Sequence, residues 1–155
     1  MRGEKQMKVL FVCVHNSARS QMAMTYLNHL GKGRFQAESA GLEPGSLNPL
    51  VVEVMKEEGF DISGNPVNSV FDFYRQGRQY DLVIKVCEQS AGQKCPIFPG
   101  ARWNLAWDFT DPSAFTGTRE EKLAKTRQVR DEIRRRIEEF IRVFSVEPVK
   151  GAGEV

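Results

Sequence analysis

Cys13 and Arg19 stand six positions apart in "CVHNSARS", with Val14, His15, Asn16, Ser17 and Ala18 between them and Ser20 directly after. The thiolate is the nucleophilic form of cysteine. A guanidinium is a planar, permanently charged fork that grips two oxygens of one oxyanion. A loop of small and polar residues between the two can turn several backbone N–H groups toward a single tetrahedral anion. The same positive field favours the thiolate of Cys13 over the thiol, and the Ser20 hydroxyl is positioned to donate to that sulfur. Asn16 and Ser17 suit a loop that needs unusual backbone angles. A single cysteine at a strand end is most often just a small buried hydrophobe; the combination with Arg19 and Ser20 points instead to nucleophilic chemistry on an oxyanion.

Attack on such a centre needs a proton for the departing oxygen, and a carboxylic acid opposite the sulfur supplies it. "DFTDPSAF" offers Asp111 directly before Pro112, whose ring restrains the preceding backbone, with Asp108 as the alternative. On its own an Asp-Pro pair usually only starts a turn. Two more thiols, Cys87 and Cys95, lie in "VCEQSAGQKCPIFPG". A bridge between two cysteines requires Cα atoms within roughly 7 Å. Eight residues of helix would hold this pair about 12 Å apart, so a Cys87–Cys95 disulfide requires the polar, Gly92-containing turn between them to melt. The two histidines have no companion ligands: His15 is read as shaping the loop and His29 as an exposed helix residue. No metal site is expected.

These residues need a frame that brings strand ends together. "MKVLFVC" (7–13) is a near-continuous apolar run, the mark of a strand buried on both faces. It leads into a helix with Met22, Tyr26 and Leu30 on one side and Gly31 and Gly33 at its end. "RFQAESAG" reads as a second strand, and "LNPLVVEVMKEEG" as a helix with Asn48 as cap and Pro49 in its first turn. A short helix is placed around "SVFDFYRQ", a strand over 81–87, and a fourth strand over 101–107. The T-x-x-E pair Thr118 and Glu121 opens the longest helix, striped by Leu123, Val129, Ile133, Ile137, Phe140 and Phe144. Alternating buried strands and helices predict one α/β domain over 1–155: a four-stranded parallel sheet with helices on both faces, its core over about 7–145 and its C-terminal tail frayed. In such sheets ligands bind beyond the carboxyl ends of the strands, which is where Cys13 falls.

Composition narrows the function classes. The 155-residue chain is 41% hydrophobic and 27% charged, with a net charge of +2, too small a charge to argue for nucleic acid or an anionic membrane as partner. Its apolar runs are strand-sized and "MRGEKQ" lacks an apolar signal core. The expected location is therefore the cytoplasm, where thiols stay reduced and three cysteines are more readily catalytic than structural. "RRR" at 134–136 reads as part of a solvated helix face, and Trp103 and Trp107 as packing near the Asp111 loop.

The segment "CVHNSARSQMA" resembles the anion-binding loop of the low-molecular-weight tyrosine phosphatase fold, and "RSQMA" is most similar to its arsenate reductase branch. "ESAG", "NPLVVEVMKEEGFDIS", "DLVIKVC", "CPIFP" and "DFTDP" resemble that branch in order, over nearly the whole chain. The resemblance implies an arsenate reductase of the thioredoxin-coupled type. Cys13 would be its nucleophile, residues 14–19 its oxyanion loop and Asp111 its general acid. Cys87 and Cys95 would form a disulfide relay emptied by thioredoxin or a similar dithiol. No cofactor is implied. Ser113 and Ala114 stand where phosphotyrosine-directed members tend to carry tyrosines. The cysteine pair is one residue wider than usual, and Met24 occupies the place of a glutamate that helps hold a potassium ion in some members. The alternatives are a low-molecular-weight protein tyrosine phosphatase working through a cysteinyl-phosphate, with Cys87 and Cys95 as bystanders, and a non-enzymatic oxyanion sensor.

Overall fold

The computed structural model describes residues 6–86 and 98–146, apart from the side chains of 145 and 146; Cys87, Cys95 and the C-terminal tail lie outside the described residues. Four strands run parallel in the order β2-β1-β3-β4, where β1 is Met7–Cys13, β2 Phe35–Gly41, β3 Leu82–Lys85 and β4 Trp103–Ala106. The helices are α1 (Arg19–Leu30), α2 (Pro49–Glu57), α3 (Val70–Arg75) and α4 (Arg119–Val146), with a 3-10 turn at Pro112–Ala114. This is the doubly covered parallel sheet expected from the alternation of apolar strands and helices.

The unbroken apolar character of β1 follows from its central place. Val9, Phe11 and Cys13 face a core built with Met22, Tyr26 and Leu27 of α1, Val51 and Met55 of α2, and the α4 stripe. Leu10 and Val12 face a smaller core with Val70 and Phe73 of α3, Tyr80 and Phe98. Side chains alternate across a strand, so a strand covered on both faces has no polar position to spare. β4, at the sheet edge, alternates half-buried and exposed residues.

Local signals set the element ends. Asn48 Oδ1 accepts the Leu50 N–H at 2.8 Å, and Ser69 Oγ accepts from Phe71 and Asp72 at the start of α3. The capping box closes both ways: Glu121 N donates to Thr118 Oγ1 at 3.1 Å and Thr118 N to Glu121 Oε1 at 2.8 Å. β3 is shorter than the 81–87 span expected. At its start the Asp81 side chain, not its backbone, takes the Lys8 N–H at 2.8 Å.

α4 is fastened to α2 by ion pairs. Glu57 accepts from Arg127 and Arg130, each at 2.9 Å, and Glu58 accepts from Arg134 at 2.7 Å. Hydrogen bonding from Arg127, then from Arg130, holds the Glu57 carboxyl below the usual glutamate range. A depressed carboxyl stabilises the fold above its unfolded-state pKa, and that contribution disappears as the pH falls through the lower, folded value. We expect Glu57→Gln to be less stable than the parent at pH 7 and the two to converge as the pH falls below the ordinary glutamate value of about 4.3. Urea unfolding across that range checks it.

Candidate active site

Between β1 and α1 the chain wraps into a loop whose carbonyls all point outward. Those of Cys13, Val14, His15 and Ser17 accept N–H groups of Leu42 (3.0 Å), Glu43 (2.7 Å), Gly45 (3.0 Å) and Asn48 (3.0 Å). The Ala18 carbonyl accepts from Met22 N at 3.0 Å, and the Asn16 carbonyl from Gln21 Nε2 at 3.1 Å. With the acceptors turned away, the loop's N–H dipoles are left to the interior, the geometry of an anion-binding nest. Asn16 takes the left-handed conformation, φ 56°, which asparagine tolerates better than most residues. α1 starts at Arg19 behind Ala18, which offers no capping oxygen, so the first-turn N–H groups also remain for a ligand.

Cys13 Sγ lies in this cradle, 3% exposed. It accepts the Asn16 N–H at 3.1 Å and sits 2.9 Å from Ser20 Oγ. Asn16 Nδ2 donates to Ser20 Oγ at 2.7 Å; that fixes the hydroxyl as acceptor from Asn16 and leaves its own proton for the sulfur. Asn16 Oδ1 in turn accepts Asn68 N at 2.8 Å.

Arg19 is 5% exposed. Its Nη1 donates to the Phe109 carbonyl at 3.0 Å, its Nη2 is 3.5 Å from Asp111 Oδ2, and its Nε is buried without a partner among the described residues. The guanidinium is thus anchored at Nη1 and paired through Nη2 with Asp111, and Nε is the donor an oxyanion would find unused. Asp111 is held by Ser113 N, which donates to its Oδ1 at 3.0 Å, and Asn48 Nδ2 donates to Ser113 Oγ at 3.0 Å, tying the acid loop to the start of α2. Asp108 is exposed, and Asp111 is the carboxylate in reach of Arg19. Phe109 and Trp107 are buried beneath this loop, with Trp107 against Phe11 and Phe140.

The structure therefore brings together Cys13, Arg19, Ser20, Asp111 and the loop residues 14–18. His15, at the exposed rim, donates from Nδ1 to the Glu43 carbonyl at 2.8 Å, as a loop-shaping residue would. His29 is exposed and edge-on to Phe60. Val86, the last described residue before Cys87, donates its N–H to the Val12 carbonyl at 2.9 Å, next to Cys13.

Sequence reasoning passed over Asn68 and Gln21, and read Gly41 only as the end of the second strand. Gly41 pairs with Cys13 in the sheet, and a Cβ there would lie 2.7 Å from the Val14 carbonyl oxygen and 2.8 Å from Asn16 N, so the loop backbone occupies the space of a side chain. The signal available was a glycine closing a strand directly beside the strand end that carries Cys13.

A cleft of about 280 Å³ bordered by Met24, Glu38, Ser39 and Asn68 lies where the resemblance implies a potassium ion in some members. Ser39 Oγ is buried there without a partner among the described residues. Glu38, however, is already bound by Arg78 and Tyr80, and Met24 supplies only a soft thioether, a poor ligand for a hard cation. The residues do not fit that ion.

A buried cysteine in a loop at the end of a parallel strand, with the arginine that opens the next helix paired to an Asp-Pro carboxylate, is the site of a phosphatase-fold protein. Residues 8–150 match the family model of the low molecular weight phosphotyrosine protein phosphatases, and the chain belongs to that family. It is 40% identical over 132 residues to an arsenate reductase of Bacillus subtilis, covering 85% of this chain and 93% of the relative. Among solved structures, an arsenate reductase in its oxidised state superposes with a TM-score of 0.74 at 31% identity, over 89% of this chain and 98% of the other. A thioredoxin-dependent arsenate reductase of Corynebacterium glutamicum gives 0.66 at 28% identity, over 94% of this chain and 64% of that one.

Proposed function

We propose that the protein is an arsenate reductase that passes oxidising equivalents through Cys13, Cys87 and Cys95 to a dithiol reductant. The observation that carries this reading is Cys13 Sγ held by Asn16 N and Ser20 at the start of the helix whose Arg19 has a buried Nε without a partner among the described residues, in a chain 40% identical to an arsenate reductase.

Arsenate enters the cradle and takes the Nε–Nη2 edge of Arg19. It replaces Asp111 as that arginine's counter-charge, and Asp111 serves as the general acid for the departing oxygen. The Cys13 thiolate attacks arsenic, and one arsenate oxygen leaves as water with the Asp111 proton. Preorganised N–H donors stabilise the charge on the remaining oxygens. The Cys87 thiolate then attacks Cys13 Sγ. The S–As bond breaks with its electron pair going to arsenic, giving arsenite and a Cys13–Cys87 disulfide. Two thiols have supplied the two electrons. Cys95 attacks Cys87 and releases the Cys13 thiolate, and thioredoxin or a related dithiol reduces the Cys87–Cys95 bridge by exchange. The approach of the chain to Cys13 at Val86, one residue before Cys87, supports this order.

Peptide mass mapping after a single arsenate turnover without reductant tests the relay. The expected product is one disulfide, Cys87–Cys95, with Cys13 reduced. Three free thiols after arsenite release, or a different final pair, overturns it.

A further inference from the structure

Gln21 takes no part in the chemistry above, yet it is fully buried. Of the six carbonyls in residues 13–18, five are held by backbone N–H groups and that of Asn16 by a side chain, Gln21 Nε2. The reason is geometric. The left-handed turn at Asn16 aims its N–H at Cys13 Sγ, and its carbonyl meets no N–H of the 42–48 segment, which donates to those of Cys13, Val14, His15 and Ser17. An unpaired buried carbonyl would favour reorientation of that peptide. Gln21 Nε2 also faces Asn16 Oδ1 at 3.4 Å and the Pro66 carbonyl at 3.1 Å, while its Oε1 accepts Asn65 Nδ2 at 3.1 Å. Asn68 N, from the same stretch of chain, holds Asn16 Oδ1.

We propose that Gln21 is a positioning residue for the oxyanion site: it fixes the Asn16 peptide and latches the 65–68 segment onto the loop, so that the Asn16 N–H and the Asn16–Ser20 pair stay aimed at Cys13. The proposal deepens the reading of Cys13 as nucleophile and rests on it. Gln21 acts at a distance from the substrate, through Asn16, so its loss lowers sulfur reactivity and anion affinity rather than removing a reacting group.

The test uses the full reduced chain and inorganic phosphate as probe. Iodoacetamide alkylation of Cys13, followed by peptide mapping to separate it from Cys87 and Cys95, gives a rate at pH 7; its suppression by phosphate gives an apparent affinity. Gln21→Met keeps the volume and removes the hydrogen bonds. Phosphate affinity and alkylation rate are expected to fall by roughly fivefold to tenfold, the scale of one or two buried hydrogen bonds, at a temperature where circular dichroism shows the variant folded. Asn65→Ala, which frees only Oε1, is expected to lower both by about twofold to threefold. A folded Gln21→Met that melts earlier but keeps both quantities within twofold of the parent overturns the proposal, because packing alone would then be its role. If Gln21→Met does not fold, unchanged affinity in Asn65→Ala overturns it equally. Failure of phosphate to protect Cys13 in the parent chain would instead strike the nucleophile reading itself.

Discussion

Cys13→Ser is expected to abolish both arsenate reduction and the hydrolysis of an artificial substrate such as p-nitrophenyl phosphate, each by on the order of 10⁴-fold or more, the scale of deleting a catalytic nucleophile. A serine hydroxyl ionises far less readily than a thiol, and neither Asn16 N nor Ser20 is a base able to activate it. The informative partner is Cys87→Ser. In the proposed mechanism attack on the oxyanion needs only Cys13, Arg19 and Asp111, so phosphate-ester hydrolysis is expected to survive in that variant, while catalytic arsenate turnover with a dithiol reductant is expected to fall to background. Steady-state assays of both activities on both variants check the pattern. If Cys87→Ser keeps arsenate turnover, the relay is wrong and the phosphatase reading, with bystander cysteines, takes its place.

Gly41→Ala is expected to damage the site almost as severely, without touching a reacting atom. The new methyl group would stand 2.7–2.8 Å from backbone atoms of Val14, His15 and Asn16, and backbone, unlike the end of a flexible side chain, cannot step aside cheaply. Gly41 lies within β2 and its φ is not positive, so the penalty is steric. Overpacking of this kind costs about 1–3 kcal/mol, a fall in melting temperature of roughly 2–10 °C for a chain of this size. The loop carbonyls are bonded to the 42–48 segment that leaves Gly41, so displacing one displaces the other and the anion contacts with it. Calorimetry and phosphate protection of Cys13 should both register the change. A stable variant with parental phosphate affinity would mean the loop is softer than its hydrogen bonds imply.

The strands and helices were legible wherever one residue type decided the outcome locally. The apolar run of β1, the Asn48-Pro49 start of α2 and the Thr118–Glu121 box each act within a few residues, and each appears where its chemistry puts it. Cys13, Arg19 and Ser20 were legible for a related reason: a strand–loop–helix turn brings neighbours in sequence together in space. What stayed hidden depends on long-range pairing. Asn16 meets Asn68 across 52 positions, Arg19 meets Phe109 across 90, and Gln21 meets Asn65 across 44. An asparagine or glutamine that bonds to a distant backbone looks, in sequence, like any polar residue near a helix start. Gly41 was recognised as the end of a strand, but the reason for a glycine is the loop that packs on it, which no spacing rule reports.

The outward turn of the carbonyls of residues 13–18 also bears on what happens after the chemistry. The interior of the loop presents N–H groups and a guanidinium edge, so it rewards a guest that carries negative oxygens. Arsenous acid is neutral near pH 7 and surrounded by its own O–H groups, which need acceptors. The loop has turned its carbonyl acceptors to the outside. Expulsion of the reduced product therefore needs no moving part: the surface that seizes the charged reactant has little to offer the neutral molecule it becomes.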